Sequence, residues 1–498
     1  MASACLAAFG LLALILWCAP AEAQKLERLQ VAPDQWTFRG AESGNPFVPF
    51  GTNYTPTWGG WPPDFVGTRW DEAAIQNDLD AMRGLGVNLL KFAVPLIRIL
   101  PDPQAPGNVV PSAEVLARVD RVVAMAGERG IRLILTVEPG WRGLPRWFRD
   151  GGNWYGPGSL QVLDQFWRQI ATRYRGDGRI FGYAFCVETS LSGWSSQEAQ
   201  ALFQQWARDR YAIIEAANTA WGTDFAGFEH VTAAGYDGNN AQNWRDLPEG
   251  AEGNENKTND PYLYDYLLFR EWAAFRYMYR QTLAVKSADP QALTGMGFVQ
   301  WNPILRQLWG PVWEGPSRGP EYNAREMAKA FDYLGIHFYP IYRGGSPDVQ
   351  IKYLKLWARW ADAGKPVILE EFNNAPAEAN APWCERVIRE TRDYVGGWLV
   401  WTFQDVPNSD SITEACGLLN VNGERTAWGR RFAEMAPEVT AWRLTRPEPH
   451  RTIPVDKRWL YTSGDYRSFL DGLLKEDDAL VAFEVEPNPT IDALLQDR

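Results

Sequence analysis

The sequence predicts an α/β chain closed into a (β/α)8 TIM barrel, and three observations predict it. Eight short apolar runs alternate with stretches of helical period along residues 47–435. Most of the runs are continuously apolar rather than alternating, as strands buried on both faces are. Strand and helix in strict alternation imply parallel strands with helices outside, and eight such units close a barrel. The competing architecture is an open doubly wound sheet. No G-x-G-x-x-G opens a helix after the first run, so its nucleotide-binding form has little support.

The candidate strands are 47–53, 87–93, 131–137, 181–187, 292–298, 333–339, 366–372 and 397–403. Helices are expected at 71–84, 112–129, 159–174, 196–220, 262–286, 348–363, 382–394 and 426–435, with a shorter one at 323–330. Ser112, with Glu114 close behind, and Ser159 read as N-caps. A large insertion, about 189–261, follows the fourth strand and contains the polar stretch 238–260. It is expected to form a helical flap over the barrel mouth. The barrel takes 24–445, and 446–498 is an extension whose role the sequence does not give.

The N-terminus reads as a secretory signal peptide. Residues 5–18 are apolar but too short to span a bilayer comfortably, and Ala21-Glu22-Ala23 follows as a small-x-small cleavage site. Residues 1–23 are therefore expected to be removed and the mature chain secreted, to an extracellular or periplasmic location. The first residues carry no Lys or Arg, so an uncleaved N-terminal anchor is the alternative reading. No later segment is apolar enough to cross a membrane. The formal charge is −12, and there is no Lys/Arg-rich run, which argues against a nucleic-acid partner. The oligomeric state is left open.

Cys5 and Cys18 lie in the signal, leaving Cys186, Cys384 and Cys416. This odd count permits one disulfide, Cys384–Cys416, without requiring it. With three histidines, no C-x-x-C and no H-E-x-x-H, a metal site is not expected, and no cofactor is implied. The unusual count is 25 tryptophans. Trp is hard to bury completely, so many are expected at partly exposed sites, roughly half of them serving only packing.

Barrel enzymes place their active sites at the C-terminal ends of the strands. The fourth strand ends in Glu188 and the seventh in Glu370-Glu371. Strands four and seven lie on opposite sides of the ring, so their terminal carboxylates face across the mouth. Two facing carboxyls suit glycosidic cleavage: one is protonated to assist the leaving group, the other ionised to attack or to activate water. Strand alternation points Glu370 and Glu371 to opposite faces. Glu371, last in the run, is assigned to the cavity, and Glu370 is expected to bridge to the neighbouring helices.

The segment 366–373, PVILEEFN, resembles the nucleophile strand of clan A glycoside hydrolases, especially family 5, the cellulase- and mannanase-like family. His337-Phe338-Tyr339 resembles that family's His-x-Tyr, and 398–403, WLVWTF, its strand-eight motif. Residues 206–222 instead resemble the helix and AWG turn that follow the acid/base in family 42 β-galactosidases. The resemblance, over roughly 45–435, implies Glu188 as acid/base and Glu371 as nucleophile. It further implies Tyr339 bonded to the nucleophile, His337 at the site and Trp401 flooring the −1 subsite. Two departures stand out: Val187 replaces the usual Asn before the acid/base, and Lys91 replaces the usual Arg of strand two.

Glu138, ending the third strand, is a rival acid or a ligand for a sugar hydroxyl. Asn53 and Lys91 are further candidates for substrate contact. Trp58, Trp61, Trp141, Trp154 and Trp301 are candidates for stacking on sugars. The expected activity is retaining hydrolysis of β-linked oligo- or polysaccharides by double displacement, with β-mannan, β-glucan and β-galactosides all compatible. The alternatives are a non-catalytic carbohydrate-binding barrel and a Schiff-base barrel lyase using Lys91.

Overall fold

The computed structural model describes residues 26–496 apart from 61, 141, 189–190, 192, 195, 233–260, 301–322, 341–345, 408–414 and 463–465. Residues 1–25, which hold the expected signal peptide, thus lie outside the described residues, as do 238–260 of the insertion.

Eight parallel strands close a ring in sequence order. They are β1 (Phe50–Asn53), β2 (Leu89–Pro95), β3 (Arg132–Glu138) and β4 (Ile180–Val187), then β5 (Thr294–Phe298), β6 (Leu334–Phe338), β7 (Val367–Phe372) and β8 (Trp398–Val400). All eight apolar runs are therefore barrel strands. Nearly every residue in them is buried, because the helices cover one face and the packed interior the other. Leu89, Ile134, Phe181, Ile368 and Leu399 fill the lower interior. A three-stranded antiparallel sheet of Leu29–Val31, Phe38–Gly40 and Pro46–Phe47 lies at that end, and Phe38 packs edge-on against Phe181 and Tyr333.

The outer helices are α1 (Glu72–Gly84), α2 (Ala113–Glu128), α3 (Pro157–Arg173), α4 (Gln197–Tyr211), α5 (Ile214–Trp221) and α6 (Pro261–Ala288), followed by α7 (Pro347–Ala361), α8 (Ala377–Glu390) and α9 (Ala427–Thr440). Ser112 caps α2 by accepting from the Val115 amide. Ser159 is not a cap: α3 starts two residues earlier, with Pro157 in its first turn, where the missing N–H costs nothing. The single helix expected over 196–220 is two, broken at Ala212, which has φ 61°. The break lets Tyr211 and Trp221, from different helices, both bond Asp265 of α6. The described part of the insertion is thus helical and tied to α6.

Residues 446–498 are bound into the barrel's outer layer. Arg451–Val455 pairs in parallel with Val481–Val485, and the Val481 carbonyl accepts from Arg359 of α7 at 2.7 Å. Lys457 pairs with Glu326 at 2.7 Å and Glu271 at 3.3 Å, all three buried, and Asn488 donates to Glu271. Thr490 accepts from Trp206 of α4, linking this extension to the insertion.

The tryptophans depart from the expectation of exposure. Trp36, Trp167, Trp194, Trp357, Trp360, Trp398 and Trp428 are fully buried. Among the described residues only Trp58, Trp70, Trp272, Trp442 and Trp459 stay partly exposed. The cysteines Cys186, Cys384 and Cys416 are buried thiols, and no disulfide joins Cys384 to Cys416. In place of a disulfide, Asn373 links the segments: Cys384 Sγ lies 3.4 Å from its Oδ1, and its Nδ2 donates to the Cys416 carbonyl.

Candidate active site

The C-terminal ends of β4, β6 and β7 bring Glu188, His337, Tyr339 and Glu371 together. Glu371 is buried, and three donors from two other strands surround its carboxylate. Tyr339 donates from its hydroxyl to Oε2 at 2.8 Å, and Lys91 Nζ lies 3.1 Å from Oε1. His337 Nδ1 lies 3.4 Å from Oε2. The same nitrogen is 2.7 Å from Glu188 Oε1, so this one imidazole spans both carboxylates. Tyr339 is itself pinned by Gln300, which accepts from its amide and donates to its carbonyl at 3.1 Å.

Glu188 differs in setting. Its side chain is about one-third exposed, and its backbone has φ 48°, a left-handed conformation that a non-glycine residue adopts only when its surroundings hold it there. Its amide donates to the Gly297 carbonyl at 3.2 Å. The preceding amide, that of Val187, donates to Glu138 Oε2 at 2.6 Å, while Glu138 Oε1 accepts from the Gly140 amide. Both oxygens of Glu138 thus hold backbone. Glu138 is a buried anchor for the turn that carries Glu188. Burial pushes its carboxyl up to about 7, although the two amides and Lys91 act in the opposite direction.

Glu370 faces the interior, not the helices. The β6–β7 register slips between Leu369 and Glu371, so that Glu370 is an extra residue in the ladder. Such a bulge breaks the two-residue alternation and re-aims side chains. Both glutamates consequently reach Lys91, with Glu370 Oε2 at 2.9 Å and Glu371 Oε1 at 3.1 Å from Nζ. Lys91 is buried between them and shares these two bonds. Burial lowers its pKa, but the two carboxylates outweigh that and raise it. For Glu370, burial works against ionisation, yet Lys91 and His337 hold its carboxyl down to about 2. His337 is also buried, which favours its neutral form. The charge of Glu371 and the hydrogen bonds to Glu188 and Glu370 prevail and raise it to about 9, so it is a cation at neutral pH.

Asn53 is likewise occupied: its amide donates to the main-chain carbonyls of Glu370 at 2.9 Å and Val400 at 3.3 Å. It ties β1 to β7 and β8. Trp401 packs with Tyr339 and Cys416 beside the carboxylates. Trp58 is half-buried, its indole N–H bonded to Asp78 at 2.9 Å, and Trp154 lies in the core against Phe148 and Tyr277. Trp61, Trp141 and Trp301 lie outside the described residues. Among the described residues, Glu188, His337 and Glu371 each offer a ligand atom within 4.8 Å of the others, close enough for a metal ion. The bonds of His337 to Glu188, and of Tyr339 and Lys91 to Glu371, account for this spacing by hydrogen bonding alone.

Glu370, Gln300, Asn373 and the inward glycines Gly297 and Gly335 are the parts that strand-end reasoning misses. The bulge hides the first. The paired glycines of TGMGF and LGIHF were a legible signal of a close approach, since a Cβ on Gly297 would lie 2.3 Å from His337 Nε2.

In fold the chain resembles the clan A glycoside hydrolases. Comparison with known proteins gives the more particular likenesses. The glycoside hydrolase 42 family model, described as β-galactosidase, matches residues 159–386. β-Galactosidase YesZ of Bacillus subtilis is 26% identical over 197 residues, 33% of this chain and 28% of that protein. The chain thus spans under a third of that curated relative. The exo-β-1,4-mannosidase Op5Man5 from Opitutaceae bacterium strain TAV5 has the same fold, with a TM-score of 0.57 at 20% identity over 86% of this chain and 65% of that one. The β-galactosidase of the Antarctic haloarchaeon Halorubrum lacusprofundi gives 0.63 at 15% identity, over 88% and 66%.

Proposed function

We propose that this chain is a retaining glycoside hydrolase with Glu371 as nucleophile and Glu188 as acid/base. One observation carries the reading. One carboxyl oxygen of Glu188 lies within 4.8 Å of one of Glu371. Retaining pairs are about 5–5.5 Å apart, whereas inverting pairs need about 6.5–9.5 Å to seat a water. In the first step a Glu371 oxygen bonds the anomeric carbon. The glycosidic bond breaks as Glu188 gives its proton to the leaving oxygen. In the second step Glu188 takes a proton from water, which attacks the same carbon and frees Glu371. Tyr339 and Lys91 orient the nucleophile and stabilise it again as it departs.

β-Galactosides and β-mannosides are the first substrates to test, because the relatives are named for them; β-glucan is a third. A Lys that forms a Schiff base needs a depressed pKa. Lys91 is held as a cation by two carboxylates, so the lyase reading has no support. The deciding experiment follows the first-formed anomer by proton NMR and labels the enzyme with a 2-deoxy-2-fluoro glycoside before peptide mapping. Retention and a label on Glu371 are expected. Inversion, or a label on Glu370 or Glu138, overturns the assignment, and no turnover across a glycoside panel favours a binding barrel. The signal-like N-terminus supports secretion, for which intact mass should show Gln24 as the first residue.

A further inference from the structure

The mechanism above uses Glu371 and leaves its neighbour unexplained. Glu370 is a fully buried carboxylate at the centre of the site, and its Oε1 has no hydrogen-bond partner among the described residues. Burying a charge is costly unless something offsets it. Its Oε2 lies 2.9 Å from Lys91 Nζ and 3.5 Å from His337 Nε2. The space is made by glycines. A Cβ on Gly297 would meet this oxygen at 2.4 Å, and one on Gly335 at 2.5 Å. Lys91 Nζ and His337 Nε2 are themselves 3.4 Å apart, two cationic groups that would repel without an anion beside them.

We propose that Glu370 is a positioning residue for the reaction: turned inward by the bulge, it holds Lys91 and His337 as adjacent buried cations, which in turn set the carboxylates of Glu371 and Glu188. The proposal rests on the roles assigned to those two residues. Three carboxylates (Glu188, Glu370, Glu371) face His337 and Lys91 from β7 and the end of β4, Glu138 at the end of β3 also feels the charge of Lys91, and Tyr333 and Tyr339 are further titratable groups around them. Removing Glu370's charge leaves the two cations nearer each other than to a full set of anions. The imidazole, with the lower intrinsic pKa, gives up its proton first. Its Nδ1 then ceases to be a charged donor between Glu188 and Glu371.

Three histidines make this measurable by imidazole NMR. His230 and His450 are mostly exposed, and His337 is buried, so a His337→Gln spectrum assigns its signal. In the full chain His337 is expected to stay protonated through neutral pH. In Glu370→Gln its midpoint is expected to fall by about one pH unit or more, with kcat reduced about tenfold or more and KM nearly unchanged. Glu370→Asp keeps the charge and is expected to keep the high midpoint. An unchanged midpoint in Glu370→Gln overturns the proposal even if kcat falls. If that variant does not fold, a wild-type His337 titrating near 6.5 overturns it, and a high midpoint retained in Glu370→Asp supports it. The titration does not need turnover, so a chain with no glycosidase activity would sink the functional reading separately.

Discussion

Glu371 and Glu188 end strands on opposite sides of one ring, yet the two strand ends are built differently. Glu371 is 4% exposed and is met by Tyr339, Lys91 and His337. Glu188 is 34% exposed, sits on a left-handed backbone and has His337 as its described side-chain partner. The difference suits the roles proposed for the two residues. A nucleophile aimed at one carbon gains from fixed donors that need no reorganisation during the reaction. An acid/base that serves first a leaving group and then water has to stay reachable, so it is held through its backbone, by Glu138 on the Val187 amide and Gly297 on its own.

The largest effect should come from the rigid end. Glu371→Gln is expected to lose on the order of 10⁴-fold or more in kcat for every glycoside, activated or not, since no covalent intermediate can form. Substantial turnover of any aryl glycoside by this variant would show that the tightly held carboxylate is not the nucleophile. The reachable end should respond selectively. Glu188→Ala is expected to lose about 10²–10⁴-fold on poor leaving groups and far less on activated aryl glycosides, which need no proton in the first step. Equal losses on both would erase the contrast.

This contrast was partly legible in the sequence. Eight buried strands announce themselves as continuous apolar runs, and a carboxylate ending such a run has few reasons to be there. The partners were harder to see. Period-two alternation assigned Glu370 outward, and only the slipped register between Leu369 and Glu371 turns it in. Lys91, Asn53 and Glu138 lie at barrel strand ends, as substrate ligands would. In the structure Lys91 bonds Glu370 and Glu371, the Asn53 amide donates to two carbonyls, and Glu138 accepts from two amides. A single sequence shows where a polar group sits, not whether its bonds are already taken.

The donors around Glu371 predict an intermediate effect. Tyr339→Phe removes a 2.8 Å hydrogen bond to the ionised carboxylate. The nucleophile then loses one of its fixed donors, so kcat is expected to fall about tenfold or more with KM nearly unchanged. An unchanged kcat would show that Lys91 and His337 suffice to hold the rigid end.

The smallest effect on rate is expected at Glu138, and it sharpens the comparison most. Glu138 is the third carboxylate near the mouth and the remaining rival for the acid. Its carboxyl is pushed up to about 7 by burial, against the pull of the Val187 and Gly140 amides, from an ordinary value of 4.5. A carboxyl raised in the folded chain binds its proton more tightly there than in the unfolded chain. Its contribution to stability is therefore full below the ordinary value and is lost as pH rises through about 7, a loss of roughly 3 kcal/mol. Glu138→Gln has no charge to bury and keeps one acceptor for Val187. Thermal unfolding at pH 5 and pH 8 should show the wild type losing more stability than the variant between the two. If Glu138 only anchors the turn, kcat should fall less than about tenfold and equally for good and poor leaving groups, the worth of one backbone hydrogen bond. A loss of 10²-fold or more confined to poor leaving groups would make Glu138 the acid. Glu188 would then be the residue that a charged His337 holds in place, reversing the roles of the two groups at the reachable end while leaving Glu371 untouched.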